Sequence, residues 1–182
     1  MIESLRGLHA AHTRTDPWGK AAPAYHRDVT PGNVIIGLNG IVKLADFGLA
    51  RAMDRAKITR PDTVKGKVAY IAPELIDDSK TEPSAQSDLF SLGTVLWEVL
   101  AGRRLFKVDN DLDSLRNVLA CKIPPLAELR PDLPSDLVLT VSRALERDPE
   151  KRFKSARHMT RALARVLRRV AEPPDAAPLG ES

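Results

Sequence analysis

At 182 residues, with 43% hydrophobic and 29% charged residues, the chain is sized for one domain with a real core rather than for disorder. A net charge of +4 is too mild to imply nucleic acid, and the single cysteine, Cys121, rules out an intramolecular disulfide and fits a reducing, cytoplasmic setting. No apolar run reaches a membrane span, since Leu89–Leu100 is broken by Glu98, and no secretory leader is visible at Met1-Ile2-Glu3-Ser4.

Along the chain, residues 2–12 carry Ile2, Leu5, Leu8 and His9 on one face, which predicts a helix. A polar loop with Asp16-Pro17 and Gly19 follows. Two β-runs, Val34–Leu38 and Ile41–Leu44, flank Asn39-Gly40, a tight-hairpin signal. Residues 49–71 have no clean periodicity and read as a mobile segment. From Ser87 the pattern is helical. Helices are expected over Asp88–Ala101 (ended by Gly102), over 111–120, from Ser135 (a candidate N-cap after Pro134) to about Arg147, and over about 155–171. The proline-rich stretch 172–182 reads as a disordered tail.

The hairpin carries a geometric argument. A two-residue turn at Asn39-Gly40 sets Leu38 opposite Ile41 and, further back, Asn33 opposite Asp46. Facing Cα atoms in an antiparallel pair are roughly 4.5–5.5 Å apart. An amide oxygen and a carboxylate would then converge at the open end of the hairpin, a donor set suited to Mg²⁺. A one-residue bulge would break that pairing.

Four short motifs follow in order: His26-Arg27-Asp28, Asn33, Asp46-Phe47-Gly48 and Ala72-Pro73-Glu74. This series resembles the eukaryotic-type serine/threonine protein kinases, and the Ala-, Arg- and Pro-rich composition resembles bacterial members. The resemblance implies a mainly α fold with a small β-hairpin, equivalent to the large lobe of a kinase over residues 1–171. It implies ATP with Mg²⁺ (or Mn²⁺ in its place) as cofactors and a protein as substrate. Asp28 would receive the substrate hydroxyl's proton, Asn33 and Asp46 would hold the metal, and Ile35 and Ala45 would line the adenine pocket. His26, Gly48, Asp88, Glu74 and Arg152 would be structural supports, with Asp88 bracing the catalytic loop and Glu74 pairing with Arg152. Thr63, eleven residues before Glu74, stands at the spacing of an activation-loop phosphosite, with Thr59 second to it and Arg27 as the phosphate's receiver.

Two features depart from the family pattern. Family members carry Lys two residues after the catalytic Asp and Thr just after the glycine of the substrate-facing loop; this chain has Thr30 and Lys67 there. The two types look exchanged. Thr30 and Lys67 would then be catalytic with Asp28, keeping the family's polar contact and letting Lys67 reach the transferring phosphate as a compact cation. That requires the Lys67 amine to reach Thr30 or Asp28. Secondly, only 27 residues precede Asp28, with no G-x-G-x-x-G and with Lys20 as their one lysine. The β-rich small lobe that clamps ATP is therefore expected to be missing or separately supplied. Catalysis by this chain alone is expected to be very weak or absent, because the triphosphate lacks its upper clamp. A non-catalytic binding module and half of a split kinase are the alternatives. The Arg157, Arg161, Arg165 and Arg168 row reads as a solvated helix face, and His9, His12 and His158 lack a convergent partner set for zinc.

Overall fold

The computed structural model describes residues 1–47, 67–77, 81–108 and 110–171. Helix α1 spans Ile2–His12, and a hairpin follows of β1 (Val34–Ile36) and β2 (Val42–Leu44). After it come α2 (Pro73–Asp77), α3 (Ala85–Ala101), α4 (Asp111–Ala120), α5 (Leu126–Leu129), α6 (Ser135–Ala144) and α7 (Ala156–Ala171). Single 3₁₀ turns occupy Pro31–Asn33, Val68–Tyr70 and Pro149–Lys151. Gly48, Thr59, Thr63 and the 172–182 tail lie outside the described residues.

Helix α3 is the axis of the molecule. Leu89, Phe90, Leu92, Val95, Leu96 and Trp97 are all buried, and so are Ser87, Asp88, Ser91, Thr94 and Glu98, so the helix is enclosed nearly all round. Its buried hydroxyls bond back into the helix, Ser91 to the Ser87 carbonyl and Thr94 to the Phe90 carbonyl. Its two buried carboxylates reach outward instead, and both shape the candidate site. The helix begins three residues before the expected Asp88, because Ser84 and Ser87 form a reciprocal capping box with N···O distances of 3.2 and 3.0 Å. Gly102 ends it in the left-handed region at φ 68°.

Helix α1 packs on α7, β2 and α3 through fully buried Leu5 and Leu8, and α6 packs on α3 and α7. The row Arg157, Arg161, Arg165 and Arg168 is exposed on α7, opposite buried Met159, Leu163 and Val166. Helix α6 starts one residue after its Pro134 N-cap, with Ser135 already helical, and stops at Ala144 rather than near Arg147. The early stop frees the Glu146 and Arg147 carbonyls, which accept from Arg152 at 2.7 and 2.9 Å.

The hairpin register differs by one residue from that expected for a two-residue turn. The pairs are Val34 with Leu44, Ile35 with Lys43 and Ile36 with Val42. The turn holds three residues, Leu38-Asn39-Gly40, between Gly37 and Ile41. Gly37 N–H donates to Ile41 O at 2.8 Å, and Gly40 N–H to Gly37 O at 2.9 Å. Gly40 takes φ 76° whereas Asn39 keeps negative φ, the pattern of a turn closed by one left-handed residue rather than of a turn needing two. Asn39 Oδ1 instead accepts the Ile41 N–H at 3.2 Å. The residue opposite Asn33 is therefore Ala45, whose N–H donates to Asn33 O at 2.8 Å, and Asp46 lies one position beyond.

Candidate active site

The 26–33 segment is held from below by α3. Asp88, 1% exposed, accepts the His26 N–H on Oδ2 at 2.8 Å and the Arg27 N–H on Oδ1 at 2.9 Å. Oδ2 also takes the Nε2–H of His12, the last residue of α1, at 2.8 Å. This grip coincides with backbone strain, since Arg27 adopts φ 67°. A left-handed non-glycine residue costs on the order of 1–3 kcal/mol and persists only where its surroundings over-determine it. Asp88 supplies that constraint.

His26 is fully buried and connects the segment to the hairpin. Its Nε2 lies 2.8 Å from Ala45 O, which can only accept, so Nε2 carries the proton. Nδ1 is then free to accept the Asp28 N–H at 3.3 Å. The imidazole also packs on Phe47, with ring centroids 4.3 Å apart. Between those contacts lies Asp46, exposed and at φ 61°, a second left-handed non-glycine residue.

Asp28 receives two side-chain donors on one oxygen. Asn33 Nδ2 lies 3.0 Å from Oδ2 and 2.7 Å from the Asp28 carbonyl; Lys67 Nζ lies 2.6 Å from the same Oδ2. Pro31 starts the turn that folds Asn33 back onto Asp28, and Asn33 N–H closes it on Thr30 O at 3.1 Å. The amide nitrogen of Asn33 is thus committed to Asp28. Thr30 is buried at 9% exposure, and the bond made by Lys67 is to Asp28. Ile35 and Phe47 are 53% and 38% exposed, Ala45 is half-buried and the Arg27 side chain is exposed.

Lys67 leads into a turn that α3 also holds. Tyr70 N–H donates to the Lys67 carbonyl at 3.0 Å, and the Tyr70 hydroxyl donates to Glu98 Oε2 at 2.8 Å. The same carboxylate accepts Arg104 at 2.8 Å and the Leu105 N–H at 3.0 Å, and Arg104 also donates to the Tyr70 hydroxyl. Burial first, and then the bond to Glu98, push the Tyr70 hydroxyl's pKa well above its ordinary value of 10.0. Immediately after, Glu74 of α2 meets Arg152 in a bidentate pair.

Four of these residues, His12, Glu98, Tyr70 and Arg104, escaped the sequence reading, although two of them left a signal. His12 falls at helical spacing after Leu5 and Leu8, so a polar group stood on a buried stripe. Glu98 interrupts an apolar helix, and a buried charge requires partners. Those partners are Tyr70 and Arg104.

Residues 1–163 match the protein kinase domain. The chain belongs to the protein kinase family. It is 38% identical over 99% of its length to the tyrosine-protein kinase MasK of Myxococcus xanthus, and spans 28% of that protein. It is 36% identical over its full length to the serine/threonine-protein kinase PknA of Mycobacterium tuberculosis, and spans 40% of it. PknL of the same organism, also a serine/threonine-protein kinase, is 34% identical over 93% of the chain, which again spans 40% of the relative. The kinase chain thus spans well under half the length of these relatives.

The donor set of the kinase site fits a hard divalent cation. Asn33 offers an amide oxygen and Asp46 a carboxylate, the ligand types of Mg²⁺. Among the described residues no three His, Cys, Asp or Glu side chains are grouped to hold a metal. Mg²⁺ binds through one or two carboxylates together with substrate phosphates. No helix of the described residues is long and apolar enough to cross a membrane.

Proposed function

We propose that this chain carries the phosphoryl-transfer half of a serine/threonine protein kinase acting on protein substrates with ATP and Mg²⁺. The observation that carries the reading is the state of Asp28: a carboxylate held at a left-handed turn by Asp88, with Asn33 and Lys67 both on Oδ2. Two donors on one oxygen orient the carboxylate and direct Oδ1 toward an incoming hydroxyl.

In this reading Asp28 orients the acceptor hydroxyl and takes its proton. Asn33 and Asp46 hold Mg²⁺, which when bound neutralises phosphate charge. Ile35 and Ala45 contact the adenine ring. His26 transmits the position of the 45–47 segment to Asp28 through its two ring nitrogens. Arg27 and Thr63 form the regulatory pair, and half-buried, free Cys121 fits a reducing cytoplasmic setting. Turnover by the 182-residue chain alone is very weak or absent, because Ile35, one of the two adenine-facing side chains, stands open to solvent.

The acceptor hydroxyl is that of Ser or Thr, by similarity to the serine/threonine-protein kinases PknA and PknL; the similarity to MasK, a tyrosine-protein kinase, makes Tyr the second reading. Purified chain is incubated with radiolabelled Mg·ATP and a protein substrate, beside Asp28→Asn, and the product is hydrolysed to its phosphoamino acids. Weak transfer to Ser and Thr, lost in Asp28→Asn, is expected. Transfer unaffected by Asp28→Asn sinks the assignment of Asp28, and phosphotyrosine alone moves the acceptor to Tyr.

A further inference from the structure

The loop from Asp28 to Asn33 contains neither lysine nor arginine. Phosphoryl transfer nonetheless develops negative charge beside the group that orients the nucleophile, and a fixed cation there lowers the barrier. Among the described residues, the cation in contact with Asp28 comes from 39 residues further along the chain, in Lys67. We propose that Lys67 is a catalytic residue of this site, and that Tyr70 is its positioning residue, acting through Glu98 and Arg104. The proposal rests on the phosphoryl-transfer reading of Asp28.

The chemistry is a direct displacement. The acceptor oxygen forms a bond to the γ-phosphorus while the bond from that phosphorus to the β–γ bridging oxygen breaks. ADP leaves with the bonding pair, and the hydroxyl proton passes to Asp28. An ammonium carries three donors and the bond to Asp28 uses one. The Lys67 side chain is 48% exposed and that of Asp28 17%, so the pair lies where a substrate approaches from solvent. Lys67 then spans the carboxylate and an oxygen of the phosphoryl group in transfer, as a compact point charge.

An ion pair this exposed holds neither partner firmly by itself. The firmness comes from behind. Val68, Ala69 and Tyr70 are all buried, and the turn's own hydrogen bond ties the Lys67 carbonyl to the Tyr70 N–H. The Tyr70 hydroxyl is fixed on Glu98, which Arg104 and the Leu105 N–H hold in turn. Glu98 and Asp88 sit ten residues apart on α3, about 15 Å along one rigid helix. Asp88 carries the loop of Asp28 and Glu98 carries the turn of Lys67, so one helix sets the spacing of the two charges. A catalytic cation delivered this way is present only when its turn is docked, which makes the docking itself a control on transfer.

Two measurements on the full chain test this. The first needs no turnover: limiting acetic anhydride labels amines, and mass spectrometry compares Lys67 with exposed Lys154 as internal reference. In the unsubstituted chain Lys67 is labelled slowly, and Asp28→Asn and Tyr70→Phe each accelerate it roughly fivefold, the factor expected for one lost hydrogen bond. Labelling of Lys67 unchanged by Tyr70→Phe overturns the positioning role. The second is a kinetic cycle. Lys67→Met lowers kcat about 100-fold with KM for Mg·ATP little changed, and Lys67→Arg recovers part of it. Tyr70→Phe lowers kcat roughly fivefold alone but not in the Lys67→Met background, because its effect runs through Lys67. Equal losses in both backgrounds overturn the coupling, and full activity of Lys67→Met overturns the catalytic role. Where the unsubstituted chain shows no transfer, the labelling comparison alone decides, and Lys67 labelling unchanged by both Asp28→Asn and Tyr70→Phe overturns the proposal.

Discussion

Glu74 and Arg152 meet in a two-point pair, with each carboxylate oxygen 2.7 Å from a separate guanidinium nitrogen. Arg152 is 0% exposed, and its remaining donors are spent on the carbonyls of Gln86, Glu146 and Arg147. The guanidinium also lies over the Phe90 ring at 4.7 Å. All five of its N–H groups are thereby used. The pair joins α2, which follows the Lys67 turn, to the start of α3 and the α6–α7 connection. Glu74→Gln keeps the shape but leaves a buried cation without its counter-charge, a change that costs about 3–5 kcal/mol. Urea unfolding checks this; a loss under 1 kcal/mol would show that the pair is dispensable to the fold.

Asp88 makes a different demand. Its two oxygens satisfy the N–H groups of two consecutive residues, one of them in the left-handed region. Asp88→Asn replaces an acceptor with a donor that faces an N–H, so one of these buried amides loses its partner. The expected loss is about 1–3 kcal/mol of stability, together with a drop in phosphoryl transfer. Hydrogen exchange locates it: the His26 and Arg27 amides lose protection well before those of α6. Uniform loss across the chain would make Asp88 merely a fold residue.

Most of this architecture was legible in the sequence, for a reason visible in particular elements. Helices α1 and α4 match their expected bounds because a stripe of apolar residues and a clear stop signal agree at both places. The α3 start was missed because Ser84 and Ser87 cap each other without the acidic N3 residue that advertises such a box. The hairpin register was missed because Asn39-Gly40 serves two turn types, and only the φ of Asn39 separates them. That slip of one residue sets Ala45 across from Asn33, and the left-handed φ of Asp46 follows directly after it. Lys67 meeting Asp28 was legible as an exchange with Thr30. What holds Lys67 was not, because Tyr70, Glu98 and Arg104 converge only once α3 and the 68–70 turn are packed together.

Gly93 tests the packing of the central helix. A Cβ placed on it would lie 2.9 Å from the Ala144 Cβ and 3.3 Å from a Leu145 methyl, so α3 and α6 touch through this residue. Neither neighbour is the flexible end of a long side chain that could swing away. Although alanine is the better helix former, Gly93→Ala is expected to destabilise by about 1–3 kcal/mol through overpacking. Gain of stability in thermal unfolding would mean that α6 can retreat without loss.

The Tyr70 hydroxyl gives the fold an alkaline limit. Its pKa is raised in the folded chain because burial and the adjoining Glu98 carboxylate both disfavour the phenolate. In the unfolded chain it titrates at its ordinary value of 10.0. The folded state therefore binds more protons than the unfolded state above that pH. The contribution of Tyr70 to stability is complete below pH 10 and is lost progressively as the pH rises through and beyond it. Tyr70→Phe removes the titrating group along with its bond to Glu98. Stability measured by urea unfolding from pH 8 to 11 is expected to fall more steeply in the unsubstituted chain than in Tyr70→Phe. Parallel curves would show that the hydroxyl is not buried against Glu98, and with it the turn that carries Lys67 would lose its anchor.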